Sequence, residues 1–356
     1  MKSIFLLICL WPGIIVYSQR KKVTSTSELK TKVVSLDMQE PLPGMEGLPF
    51  SAIEVLDYRP DTSKIGFNAY EQGVNFKKIT VKNGLQYSVN NFYNFYCRQN
   101  FSGDSTGLLI IIKKFWIDPS PNRQRKQQDK ELERDSDLNL YLEFDFFLKR
   151  RGLYFPFRKI DTVYQATRNK NDIEYNRFRI GGYNFFEYVL ARTFELPDYK
   201  FHAGKFDLVK NKKTFSELNA HYEKKRNYPI LKDSFLRPGV YMNFQEFRNN
   251  LPSVTAYTIS QEKVIGKVLY KAGGTDTSRI SHPFGYCDGK NIYCGDLEYP
   301  IIRIGDTFEY LSTRTDRHTI NTTLYYGNNN FGQLNIPVTE KTPEPFQIDM
   351  ETGKIY

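Results

Sequence analysis

LNLYLEFDFFLKR, residues 138–150, is the stretch on which the fold reading turns. Leu138, Leu140, Leu142, Phe144, Phe146 and Leu148 alternate with Asn139, Tyr141, Glu143, Asp145, Phe147 and Lys149. A period of two sustained this long is the pattern of a β-strand with one face packed and the other mostly wet. Arg150, Arg151 and Gly152 can reverse the chain into Leu153–Tyr164, which predicts a long hairpin. Just upstream, Leu108–Ile117 (LLIIIKKFWI) begins as a continuous apolar run of strand length. Such a run predicts a central strand covered on both faces.

Working outward, Phe50–Tyr58 and Lys77–Lys82 carry short β-branched patterns that read as strands. Leu85, Val89, Phe92, Tyr93 and Tyr96 fall on one helical face, predicting a helix over Leu85–Gln99. A second helix is predicted over Tyr183–Leu196, after Gly181-Gly182. The expected order β-β-α-β-β-β-α describes an α+β domain over residues 48–204, a sheet with helices packed on one side. Residues 205–232 are expected to hold a linking helix, since Thr214 and Glu217 have capping-box spacing. Asn243 and Glu246 repeat that spacing ahead of a short helix stopped by Pro252. Short strands and turns dominate residues 233–356, which predicts a small β-sandwich or barrel-like domain.

The chain has 356 residues, 25% of them charged and 40% hydrophobic, which suits two globular domains and argues against wholesale disorder or a coiled coil. Lys2 followed by the apolar run Ile4–Val16 reads as a secretory signal cleaved after Ser18, and residues 19–47 as a flexible lead-in. Export implies a periplasmic, outer-membrane-associated or extracellular protein without a transmembrane segment in its mature part. The net charge of +10 becomes +9 once Lys2 is removed with the signal, an excess that favours anionic envelope polymers or lipid head groups as partners, and the chain shows no nucleic-acid-binding signature. Aromatic residues make up 15% of the chain, suited to protein or glycan contact surfaces.

Arg237–Ser253 (RPGVYMNFQEFRNNLPS) and Phe284–Tyr293 (FGYCDGKNIY) resemble segments of exported proteins of unknown function from Gram-negative bacteria of the Bacteroidota type. That resemblance covers the last third of the chain and implies export and a shared β module. Ile53–Phe67 (IEVLDYRPDTSKIGF) is similar to the opening of small α+β domains in some outer-membrane lipoproteins.

Gly103-Asp104-Ser105-Thr106-Gly107 matches Gly-x-Ser-x-Gly, but a nucleophile elbow needs a strand before the serine and a helix after it. The order here is reversed, so a helix-to-strand turn is predicted, and His282 or His318 would be the base only in a minor hydrolase reading. His202, His221, His282 and His318 have no metal-motif spacing, and no phosphate-binding glycine loop occurs, so neither metal nor cofactor is expected. Cys287 and Cys294 flank a strong turn, Asp288–Asn291, and a disulfide between them is one of two open readings. Asp118–Asp137 is a long polar flap in which Arg123, Arg125 and Lys126 are candidate partner contacts. Glu143 and Asp145 share the wetter strand face and could line a cleft. These features point to an exported, non-enzymatic binding or accessory protein of the cell envelope, acting on a protein or an anionic envelope polymer. The alternative is a glycan-binding protein or glycan hydrolase built on aromatic platforms and carboxylates.

Overall fold

The computed structural model describes residues 25–35, 50–70, 75–97, 106–118, 138–166, 179–180, 183–184, 190, 211–224, 226–262, 266–271, 278–294, 299–326 and 329–356. The fold is mixed α+β and dominated by strands. The predicted central strand is β5 (Gly107–Asp118). It pairs antiparallel with β6 (Leu138–Arg150), which turns into β7 (Leu153–Ala166). Arg151 and Gly152 form the turn with φ of 48° and 75°, the left-handed pair that matches strand twist in a two-residue hairpin. The other edge of β5 is shared. β2 (Ala52–Asp57) runs parallel along its first half, and β3 (Gly66–Tyr70) meets it at Gly66↔Ile117. β4 (Asn75–Val81) pairs with β3, and β1 (Thr31–Val34) pairs parallel with β4.

The burial of β5 explains its sequence. Leu108, Ile110 and Ile112 pack with Leu85, Val89, Phe92 and Tyr93 of helix α1 (Leu85–Cys97). Leu109 and Ile111 pack on the opposite face with Leu218 and Tyr222 of helix α2 (Phe215–Lys224). All five β5 residues are at most 1% exposed, so the continuous apolar run serves two cores. Helices therefore cover both faces, correcting the expectation of helices on one side. The linking helix follows β10 (Lys213–Thr214), which pairs antiparallel with β7, and is docked on the sheet with its predicted capping box formed: Glu217 N–H donates to Thr214 Oγ1 at 3.3 Å and Thr214 N–H to Glu217 at 2.8 Å.

Two further expectations are corrected. The lead-in contains β1, because its alternating Thr31–Val34 supplies an edge for β4. The predicted helix over Tyr183–Leu196 begins instead as extended chain: β9 (Tyr183–Asn184) pairs with β8 (Arg179–Ile180), while Leu190 is helical and buried in the α1 core. Its other positions lie outside the described residues.

The second part is an antiparallel sheet ordered β11 (Gly239–Tyr241), β14 (Gly285–Cys287), β15 (Ile292–Cys294), β16 (Pro300–Ile304), β17 (Thr307–Tyr326) and β18 (Asn329–Ile348). One face packs Tyr241, Phe308 and Ile348 against Ile230 and Leu231 of α3 (Pro229–Lys232) and Phe247 of α4 (Phe244–Arg248). The predicted cap of α4 is present, with Glu246 N–H donating to Asn243 Oδ1 at 3.0 Å. On the other face Val240 and Tyr286 meet Leu269 of the hairpin β12 (Tyr257–Glu262) and β13 (Gly266–Lys271). The expected sandwich is thus realised only in part, since the second layer is one two-stranded hairpin and the described sheet does not close. The short strands and turns expected toward the end of the chain are replaced by two twenty-residue strands, β17 and β18.

Gly66 is a required glycine. Its φ is 131°, and a β-carbon there would stand 2.2 Å from the Ile117 carbonyl oxygen. Gly66→Ala is expected to cost about 3 kcal/mol of stability through strain and the parting of β3 from β5. Gly84→Ala, also at positive φ but with open space around it, should cost only about 1 kcal/mol. Equal losses in urea unfolding would contradict this reading of Gly66.

Candidate functional site

The ladder between β5 and β6 pairs Ile112 with Phe144 and then Lys114 with Glu143, leaving Lys113 as an extra residue. This β-bulge shifts the parity of the strand. Leu108, Ile110 and Ile112 face the α1 core before it, and Phe115 and Ile117 face the same core after it. Lys113 and Lys114 are consequently both turned toward the other face, where the first sheet meets the second.

Lys113 binds the Glu143 carboxylate and lies 3.6 Å from Asp145. Lys159 of β7 approaches Glu143 at 3.1 Å, and the Tyr222 hydroxyl donates to Asp145 at 2.6 Å. Burial would raise the Glu143 carboxyl, but bonds from Lys113 and Lys159 outweigh it and hold the group below the usual carboxylate range. Burial and Asp145 together push the Tyr222 hydroxyl upward, so it stays protonated and donating.

Lys114 reaches across to the second part. Its ammonium donates to Asp349 at 2.9 Å and to the Tyr356 hydroxyl at 2.6 Å, and stands 4.0 Å from the Tyr356 ring centre. Burial lowers the Lys114 pKa, yet Asp349 and Tyr356 more than reverse this, and Asp349 is held low in turn. Tyr356 also packs edge-on against Tyr141 of β6 at 5.0 Å. A second bridge runs from the segment after β2: Lys64 binds both Asp61 and Glu309 of β17, with all three side chains at most 5% exposed. Asp306 N–H donates to the Pro60 carbonyl at 2.9 Å, seating the β16–β17 turn on that segment. Arg226 lies 5.3 Å from the Tyr58 ring centre and donates to the Arg59 carbonyl at 3.2 Å.

These groups enclose a cleft of about 90 Å³ lined by Tyr58, Trp116, Tyr222, Tyr356, Met350 and the two lysines. That volume holds a few waters or one small ligand group, well short of a pocket for a whole cofactor. Its acids and bases are committed to one another, and Lys114, Glu143 and Asp349 are shifted in the direction that keeps them charged.

Glu143 and Asp145 do share a strand face beside Lys113, but only Glu143 lines this cleft. The cysteines are placed differently from the disulfide reading. β14 and β15 pair Cys287 with Ile292 and Cys294 with Gly285, so the two thiols are diagonal, buried and free. The turn spans Asp288–Asn291 and sets Cys287 opposite Ile292, which offsets the two thiols. Burial raises both thiols, making them poor nucleophiles. Arg123, Arg125, Lys126 and Ser105 lie outside the described residues. β5 does follow the Gly-x-Ser-x-Gly segment and α1 precedes it, the order opposite to an elbow. Lys113, Lys114, Asp349 and Tyr356 were not singled out by motif. The legible signal was two adjacent lysines interrupting a buried apolar strand.

Neither a family model nor a curated protein matches this chain. One solved structure, described as "Crystal structure of uncharacterized protein", is similar over 47% of this chain and 92% of its own, at 13% identity and a TM-score of 0.21. At that score the similarity carries no argument.

Glu143 and Asp349 bind protons less readily folded than unfolded. Their stabilising contribution is therefore complete at neutral pH and is lost as pH falls below the usual carboxylate pKa near 4. Lys114→Met leaves Asp349 buried without its cation and is expected to cost about 1–3 kcal/mol at pH 7. The difference from the parent should narrow toward pH 3 as Asp349 becomes protonated. A difference that does not change with pH would contradict the pairing.

Proposed function

We propose that this chain is an exported, non-enzymatic binding or accessory protein of the cell envelope that acts through protein contacts. The observation that carries the reading is the β17–β18 ribbon. β16 pairs only with Thr307–Glu309 of β17, whereas β17 and β18 remain paired from Phe308↔Ile348 to Tyr326↔Asn329. Leu311–Tyr326 thus extends past β16 by roughly 50 Å at about 3.3 Å per residue. A two-stranded ribbon is marginal alone in water, and a partner would stabilise one of this length. Pairing of the cleft acids and bases also favours binding over turnover, because general acid–base catalysis calls for a group poised near the working pH. The signal-like residues 1–18 support export, and among the described residues no helix is long and apolar enough to cross a membrane.

A second reading is favoured by the cleft itself. Trp116, Tyr58, Tyr222 and Tyr356 with paired polar groups suit a sugar ring, and glycan binding there would quench Trp116 fluorescence. In-cell crosslinking followed by envelope fractionation and mass spectrometry separates the two. Recovery of one stoichiometric envelope protein linked through residues 311–345 is expected. Retention on envelope polysaccharide without a protein partner would overturn the protein-binding reading in favour of the glycan one.

A further inference from the structure

The two long edges of the ribbon are unequal. In an antiparallel ladder, alternate residues turn their N–H and C=O groups toward the partner strand and the rest turn them outward. On β18 the outward set includes Gln347, whose N–H donates to the Tyr356 carbonyl at 2.9 Å on the side away from β17. Pro337, Pro343 and Pro345 share that parity. All three prolines therefore remove donors from the outer edge of β18 while leaving its bonds to β17 intact, a known protection against added strands.

The outer edge of β17 has no such protection. Thr307 and Glu309 use it to pair with Ile304 and Ile302 of β16. The same parity continues through Leu311, Thr313, Thr315, Arg317, Thr319, Asn321 and Thr323, with no proline. Among the described residues no strand other than β18 pairs with this row. The four threonines there, being β-branched, favour extended pairing.

We propose that this row receives one extended segment of a partner protein, which adds antiparallel to β17 in line with β16. This rests on the protein-binding function proposed above and specifies its mode. The register defines the segment's chemistry. Toward the tip, Ile320, Leu324, Leu334 and Ile336 fall by register on one ribbon face and Thr319, Asn321, Thr323, Gln333 and Asn335 on the other, while Arg314, Asp316 and His318 continue the first face toward β16. A complementary segment alternates apolar and polar residues and carries an acid opposite Arg317. Main-chain bonds supply the affinity and the alternation supplies the selectivity.

The first test is residue-resolved hydrogen exchange on the full-length protein alone. Amides of Thr313, Thr315, Arg317, Thr319 and Asn321 are expected to exchange roughly 100-fold faster than those of Arg314, Asp316, His318 and Ile320. Equal protection would mean that the chain already covers the row, and would overturn the proposal. The second test places a photo-crosslinking residue at Arg317 on β17 or at Thr339 on β18 in cells. Capture of one protein is expected from Arg317 and not from Thr339. It should be lost in Thr315→Pro/Thr319→Pro, which removes two outward donors, and retained in Thr315→Ala/Thr319→Ala, which keeps them. Continued protection at the even-numbered amides would show that the proline variant remains folded. Capture that survives the prolines would overturn strand addition alone, whereas no capture from any ribbon position would overturn the proposed function as well.

Discussion

The β-bulge at Lys113 is the constraint on which the arrangement depends. A regular strand through Ile112, Lys113 and Lys114 would send Phe115 and Ile117 to the face opposite Leu108, Ile110 and Ile112. With one extra residue, the apolar triplet before the bulge and the apolar pair after it stay in the same core, beside α1 and the even-numbered residues of β6. The displaced charge is put to use. Two neighbouring lysines emerge together, one held by Glu143 and Asp145 within the first sheet, the other by Asp349 and Tyr356 of the second part.

The seam is accordingly electrostatic where each core is apolar. Burial disfavours charge at every one of these sites, and the pairs exist because each lysine has more than one partner. The Lys64, Asp61 and Glu309 cluster follows the same logic on the other flank, although burial there raises the Glu309 carboxyl despite Lys64. Such groups orient two sheets relative to one another with directional bonds.

Much of the first sheet was legible. The alternation over Leu138–Lys149, the turn at Arg151-Gly152, the doubly covered β5 and the caps at Thr214 and Asn243 are local patterns, and each formed. What failed was non-local. β1 is too short and polar to announce itself and exists because β4 offers an edge, while β3 is fixed by the approach of Gly66 to Ile117. The merger of several short predicted strands into β17 and β18 was hidden by Asn, Thr and Pro residues that read as turns. Their spacing is instead the parity of a ladder. The placing of the cysteines was not legible either, because it depends on the four-residue turn that sets Cys287 opposite Ile292 and Cys294 opposite Gly285.

The bulge account is tested most directly by deleting residues from β5 and following Trp116 emission during urea unfolding. Deletion of Lys113 alone should give a regular ladder with Phe115 and Ile117 still in the core, a buried Trp116 and one cooperative transition, at a loss of about 1–3 kcal/mol. Deletion of both Lys113 and Lys114 reverses the parity and should abolish the native transition. If the single deletion exposed Trp116 and unfolded the protein while the double deletion preserved it, the bulge would not be what keeps Phe115 and Ile117 in register with Leu108, Ile110 and Ile112.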